Sequence, residues 1–182
     1  DGTLLNFFKD KGLKVLGIDP AARIAKNTTK SGIETIPRFF NEQMAREIRK
    51  DRGKAKLIPA NNVFAHIDDL IGFVNGVRKL LADDGIFVFE VSYLADVIEK
   101  TLFDTIYHEH QFYHSLYTIK KILIKNNLKV FDADEINIHG GGLRLYICKV
   151  KNKNFEETVK LKKLEFKEKK FGINKIHIYK KF

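Results

Sequence analysis

The sequence predicts an α/β fold built on a parallel sheet, and three observations carry that prediction. Short apolar strands alternate with helices through the first ninety residues. One helix has a continuous apolar stripe, Ile67, Leu70, Ile71, Val74, Val77, Leu80 and Leu81, at the spacing of a single helical face. The strand after it, Ile86-Phe87-Val88-Phe89-Glu90-Val91, has the near-continuous apolar character of a strand covered on both sides. Strands and helices at this rhythm imply right-handed crossovers.

The elements follow in order. Asp1-Gly2-Thr3 reads as a turn opening a helix, with Leu4, Leu5 and Phe8 at helical spacing. No strand precedes it and the sole methionine is Met44, so the chain is expected to be a fragment lacking its initiating end. Leu13 to Ile18 is a strand ending in Asp19-Pro20. Pro20 suits a first helical position, and Ala21, Ala22, Ile24 and Ala25 continue that helix to Ser31-Gly32. Ile33 to Ile36 is a short strand, Asn41 caps a helix over Glu42 to Arg49, and Lys56 to Pro59 opens a strand ending in Ala60-Asn61-Asn62-Val63. The striped helix should stop at Asp83-Asp84-Gly85.

From Asp104 the rhythm changes. Ile106 to His110 is polar and ring-rich, and Ser115 caps a helix from Leu116 to about Lys125. Leu128 to Ala133 and Leu143 to Val150 are strands joined through His139-Gly140-Gly141-Gly142. No helix separates them, so an antiparallel pair at one sheet edge is expected. Asn154 to Phe171 is a lysine-rich helix with Phe155, Val159, Leu164 and Phe166 as apolar contacts.

Composition narrows the function classes. The chain has 182 residues, 44% of them hydrophobic, enough for a core and too many for a wholly disordered chain. No apolar run approaches the ~20 residues of a membrane span, and no basic-apolar leader is visible; a cytoplasmic location is expected. Cys148 stands alone, excluding an internal disulfide framework and a multi-cysteine zinc site. The net charge of +10 is uneven: residues 149–182 hold 12 Lys and 4 Glu, while the preceding body is nearly neutral. A folded nucleic-acid surface is therefore not expected, and the lysine-rich tail reads first as a solvated helix.

Ligands of open α/β sheets bind beyond the carboxyl ends of the strands. Asp1-Gly2, Asp19 and Asn61-Asn62 are candidates there. An acid at a strand end, as Asp19 is, can accept from ribose hydroxyls, and a glycine turn admits close backbone approach. A helix cap at Asp19 and an ordinary turn at Gly2 are the plain alternatives. G-x-G-x-x-G is absent, so a dinucleotide fold is not supported. The densest cluster is Tyr107-His108-Glu109-His110, with His114 beyond it. Metal ligation is one reading, although an H-E-x-x-H helix needs histidine at position 112, where Phe112 stands. Proton transfer by a histidine base is another, and a loop of partly buried rings is a third. His66 is a further candidate beside a helix-start packing role. The His139 to Arg144 segment is either a phosphate-contacting hairpin or a flexible turn with an edge-strand arginine.

Taken together, Asp104-Thr105-Ile106-Tyr107-His108-Glu109-His110, Ala60-Asn61-Asn62-Val63-Phe64-Ala65-His66 and His139-Gly140-Gly141-Gly142-Leu143-Arg144 resemble the S-adenosylmethionine-dependent sugar-nucleotide C-methyltransferases of deoxysugar pathways. Asp1-Gly2-Thr3-Leu4-Leu5 resembles the tail of that family's first cofactor motif. The resemblance implies a Rossmann-like class I methyltransferase sheet, incomplete at its N-terminus, with an antiparallel edge pair and a C-terminal helix. It implies a core over residues 1–150 and the start of a nucleotide-sugar-binding domain over residues 151–182. S-adenosylmethionine would be the cofactor, a nucleotide-linked keto sugar the substrate, and zinc would belong only to a missing N-terminal region, with no metal site in this chain. His110 matches the base, with Glu109, Tyr107 and His66 supporting it. Asp1, Gly2, Asp19, Asn61 and Asn62 would line the cofactor site, and His139, Gly141 and Arg144 would contact substrate. Without its first strand the 182 residues are expected to be weakly active. A class I methyltransferase acting on RNA or another metabolite, and a non-catalytic remnant of the fold, are the rival readings.

Overall fold

The computed structural model describes residues 2–138 and 140–180; Asp1 and His139, both expected at the site, lie outside the described residues. Helix α1 (Thr3–Asp10) follows Gly2, whose φ of 80° is left-handed. The expected strand over Leu13 to Ile18 shrinks to β1 (Gly17–Ile18), parallel to an equally short β2 (Thr35–Ile36). A strand persists only where its backbone groups find partners, and Leu13 is exposed with no ladder opposite it among the described residues. Between these strands, α2 (Ala22–Lys30) starts after Ala21, so Pro20 lies outside the helix, in a turn where Asp19 Oδ1 accepts from the Ala21 N–H at 2.8 Å.

Helix α3 (Glu42–Arg52) begins as expected where Asn41 Oδ1 accepts from the Met44 N–H at 2.9 Å, and runs past Arg49. Strand β3 (Ala55–Asn61) leads to α4 (Leu70–Leu80), which is capped by Asp69, and then to β4 (Leu81–Ser92). Asp83-Asp84-Gly85 is therefore not a terminator. The β3–β4 register jumps there, from Ala55↔Leu81 to Leu57↔Ile86, so the turn residues become a bulge inside β4. Lys149, Lys151 and Lys54 gather on the Asp83 carboxylate and hold it well below the usual carboxylate range. On α4, Leu70, Phe73, Val74, Val77 and Leu80 face the core, whereas Ile71 of the expected stripe is exposed.

The main sheet has the order β3-β4-β6-β5, with β5 at Leu128–Ile136 and β6 at Gly142–Lys149. Strands β3 and β4 are parallel, and β6 runs antiparallel to both β4 and β5. The antiparallel pair is present, with β6 inside the sheet and β5 at its edge. The single sheet implied by the strand–helix rhythm is divided, because among the described residues no ladder joins β1 to β3. Packing joins them instead: Met44, Ala45 and Ile48 of α3 sit with Leu80 against Leu16, Ile18, Ile36 and Ile58.

Helix α5 (Leu94–Glu99) follows β4, and α6 (Leu116–Lys125) starts at a capping box formed by Ser115 and Thr118. Helix α7 (Val159–Phe171) starts later than expected. The preceding residues are held extended by the Phe155 ring stacked on Phe131 at 4.5 Å and by the Thr158 N–H on the Phe131 carbonyl at 2.9 Å. Leu161 and Leu164, with Ile173, join the core of the main sheet, while Val159 and Phe166, expected to face inward, are exposed. A short α8 (Ile176–Tyr179) completes the order. Among the described residues no helix is long and apolar enough to cross a membrane.

One long-range cap ties α7 to the rest. The buried Glu168 carboxylate accepts from the N–H groups of Leu116 and Tyr117, at 2.7 and 2.8 Å, in the first turn of α6. Burial pushes the Glu168 carboxyl above its ordinary range, and these two donors oppose that push. Glu168→Ala leaves both donors unmatched at a helix N-terminus. We expect a loss of about 1–3 kcal/mol in urea unfolding, with Glu168→Gln losing less because it keeps an acceptor.

Candidate active site

The site grows from the carboxyl ends of β3 and β4. After Asn61 the chain reverses through Asn62, which takes a left-handed φ of 53° and sends its N–H to the Glu90 carbonyl at 3.0 Å. It then enters a 3-10 turn at Phe64–His66. Phe64 is fully buried, stacked on Phe89 at 4.3 Å, edge-on to Phe73 at 5.9 Å and against His114 at 5.1 Å. That packing sets the position of His66, two residues on.

The second half arrives from β4. Past α5 and a second 3-10 turn, Phe103–Thr105, the chain returns so that His114 bridges Tyr93. The returning loop is fastened to the first turn by the Gln111 N–H on the Ala65 carbonyl at 3.1 Å and by the Gln111 amide on the Asp68 carboxylate. The His66 and His110 rings thereby lie with centroids 4.9 Å apart.

Hydrogen bonding assigns the protons. His110 Nδ1 lies 2.9 Å from the Thr105 carbonyl. A carbonyl only accepts, so Nδ1 carries the hydrogen and the neutral ring keeps its lone pair on Nε2. Tyr107 Oη, 2.9 Å away, donates to that lone pair. By the same logic His66 Nδ1 donates to the Glu109 carbonyl at 2.8 Å. Glu109 therefore contributes its main chain to the cluster, while its carboxylate is exposed and 4.0 Å from the exposed His108. His114 is buried under Phe64 and Phe112, and burial pushes its imidazole down to about 4. The three histidines of the motif do not converge. Among the described residues no group of three or more His, Cys, Asp or Glu could hold a metal.

Of the expected cofactor residues, Asp19, Asn61 and Asn62 sit at strand ends, whereas Gly2 opens helix α1 with no strand before it among the described residues. Asp19 follows β1 with one oxygen on the Ala21 N–H, leaving the other for a ligand hydroxyl. Asn61 and Asn62 are exposed at the end of β3. Gly2 has room for no side chain, since a Cβ would come within 2.7 Å of the Thr28 methyl. Asp19, Asn61 and Asn62 fit a nucleoside, an acid for ribose hydroxyls and amides for polar edges, whereas the side-chain position at Gly2 is taken by Thr28 and Ile33 and its bareness serves packing.

The hairpin residues divide. Gly141 has φ 146°, and a Cβ there would meet Asp96 Oδ2 at 2.0 Å, so only glycine fits. Its carbonyl accepts from the Tyr93 N–H at 3.2 Å, which seats the hairpin on the start of α5. Arg144 lies within β6 opposite Glu90 of β4, with Nε and Nη2 at 2.6 and 2.5 Å from Glu90 Oε1. Its charge is matched by a buried carboxylate, and that pairing holds the guanidinium further above its ordinary value. Sequence reasoning did not single out Tyr113, Gln111 or the Thr105 carbonyl. Main-chain acceptors leave no residue-type signature, and Tyr113 had no spacing to mark it.

A sheet of this order with its site at the strand ends defines a class I methyltransferase fold. The chain belongs to the methyltransferase domain family, whose model matches residues 1–133. It is 38% identical over 145 residues to C-methyltransferase NovU from Streptomyces niveus, a match covering 80% of this chain and 34% of that protein. The chain thus spans about a third of the length of that curated relative. Among solved structures it is similar to a SAM-dependent methyltransferase from Anabaena variabilis, with TM-score 0.64 and 15% identity over 81% of this chain and 73% of that one. It is also similar to 1,6-didemethyltoxoflavin-N1-methyltransferase from Burkholderia thailandensis with bound S-adenosylhomocysteine, with TM-score 0.57 and 15% identity over 81% and 66% of the two chains. Those two structures attest the shared fold.

Two measurements probe the packing under the site. Phe64→Ala removes a fully buried ring and should cost about 3–5 kcal/mol in urea unfolding. His114 is depressed in the folded state, so its contribution to stability is present above the unfolded value near 6.5 and is lost as pH falls toward 4. Between pH 7 and pH 5 that loss should be about 2 kcal/mol, and His114→Phe should remove this part of the pH dependence.

Proposed function

We propose that this chain is the core of an S-adenosylmethionine-dependent C-methyltransferase that methylates a carbon beside a keto group of a nucleotide-linked sugar. The observation that carries the reading is His110: its Nδ1–H is committed to a carbonyl and its Nε2 lone pair faces Tyr107 and lies beside His66. Such a ring accepts a proton at one defined atom. The 38% identity to a protein named as a C-methyltransferase supports carbon as the acceptor atom, and the motifs around Tyr107 to His110 and Asn61 to His66 support the keto sugar.

The chemistry follows from these groups. A proton on carbon next to a ketone is acidic because the resulting enolate spreads its charge onto oxygen. His110 Nε2 takes that proton, and Tyr107, displaced from the lone pair, donates to the enolate oxygen. His66, held through the Glu109 carbonyl, flanks the base. Bound S-adenosylmethionine supplies an electrophilic methyl group: the new carbon–carbon bond forms as the carbon–sulfur bond breaks, and S-adenosylhomocysteine leaves. Asp19, Asn61 and Asn62 hold the nucleoside portion. Residues 1–150 form the methyl-transfer core, and residues 151–182, whose helix α7 packs on that core, are assigned to nucleotide-sugar binding.

The test is transfer of labelled methyl from S-adenosylmethionine to keto sugar nucleotides by the intact protein. His110→Ala should lower the rate by roughly 10²–10⁴-fold, and undiminished transfer would refute the base assignment. Asp19→Ala should weaken S-adenosylmethionine binding by roughly ten- to a hundredfold in calorimetry, with little effect on folding, since Asp19 lies at a half-exposed turn.

A further inference from the structure

We infer that Tyr113 is a positioning residue that holds the proton-accepting face of His110 in place by orienting the carbonyl of Thr105. The inference rests on the proposed role of His110 and extends it to a side chain that reaches the base through a main-chain carbonyl. The Thr105 carbonyl receives two donors at the same distance: His110 Nδ1–H and Tyr113 Oη–H, each at 2.9 Å. A carbonyl oxygen has two lone pairs, and here both are used, one for each donor.

The geometry makes the second donor consequential. Thr105 ends the 3-10 turn Phe103–Thr105 and is buried, with its own hydroxyl bonded to the Leu102 carbonyl at 2.8 Å. The peptide that carries the carbonyl also sends its own N–H, that of Ile106, to the Phe103 carbonyl at 3.0 Å, which holds one edge of its plane against the turn. On the other side it is anchored by Tyr113, eight residues on and across the loop. The Tyr113 ring also stands edge-on to the imidazole, at 82° and 6.2 Å between centroids, blocking rotation of His110 toward that side. Without the Tyr113 hydroxyl, one lone pair of a part-buried carbonyl is unmatched, and the peptide is held only at its Ile106 N–H edge, about which the oxygen tilts toward another donor. The His110 Nδ1–H then loses its fixed acceptor, and the ring is free to place its hydrogen on Nε2, the tautomer that cannot accept a proton where the reaction needs it.

The test reads the tautomer directly, without substrate. Imidazole nitrogen shifts in the intact, isotope-labelled protein, recorded where the histidines are neutral, report which ring nitrogen carries hydrogen. The unaltered protein should show Nδ1–H for His110 and His66. Tyr113→Phe should convert His110 to a mixture containing the Nε2–H form and leave His66, which is held by the Glu109 carbonyl, unchanged. Replacing Tyr113 by 3-fluorotyrosine, which keeps the hydroxyl, should retain the Nδ1–H form at both rings. Loss of the Nδ1–H form at both histidines in Tyr113→Phe, or at neither, overturns the inference. The base assignment fails on a different result, full methyl transfer by His110→Ala, so the two failures are distinguishable.

Discussion

The site depends on the burial of one ring. Phe64 sits at the point where β3 leaves the sheet, and its side chain fills the space between β4, α4 and the returning loop. A fully buried aromatic residue makes a large share of the contacts available in a small domain, so the turn that carries it has little freedom. His66 is placed because it follows Phe64 within the same 3-10 turn, and His114 is placed because it packs on the other side of the ring. The loop that carries Tyr107 and His110 runs into His114, so its far end is fixed by the same ring that places His66.

Within that frame, main-chain carbonyls orient the two histidine rings. Thr105 and Glu109 each present an oxygen to an Nδ1. A neutral carbonyl fixes the direction of an imidazole N–H without placing a full negative charge beside the ring, as a carboxylate would. The carboxylate that the motif places next to His110 turns outward toward His108. The loop therefore behaves as a backbone scaffold on which Tyr107, His110 and His66 are hung, and its geometry is tied to the turn at Phe64–His66 through Gln111.

The C-terminal half braces this arrangement from behind. Strand β6 lies between β4 and β5 and pairs with β4 through Ser92, two residues past the last β3 partner at Glu90, so it alone carries the β4 end that launches the loop. Glu90 and Arg144 pair across β4 and β6, a buried carboxylate with a partly exposed guanidinium. Glu168 reaches from α7 to the N-terminus of α6, where unsatisfied N–H groups favour an anion. The lysines that dominate the net charge are partly committed to such pairings, as Lys160 on Asp134 and Lys167 on Glu135 show.

The amino-acid sequence by itself determined what depends on neighbours a few residues apart. Asn41 and Ser115 start their helices where they were expected because the cap bond spans three residues, and the strand–helix rhythm and the family motifs are likewise local patterns. Tertiary structure decided the rest. Whether Leu13 joins a strand, whether Asp83-Asp84-Gly85 is a turn or a bulge, and whether Ile71 or Phe73 faces inward depend on partners distant in sequence. So does the convergence of His66 and His110 while His108 and His114 diverge. Local preference is worth tenths of a kcal/mol per residue, and a ladder partner or a buried aromatic contact outweighs it. The residue types marked a ring-rich cluster with more than one chemical reading, and the direction in which the His66 and His110 rings point was set by carbonyl oxygens that carry no side-chain identity.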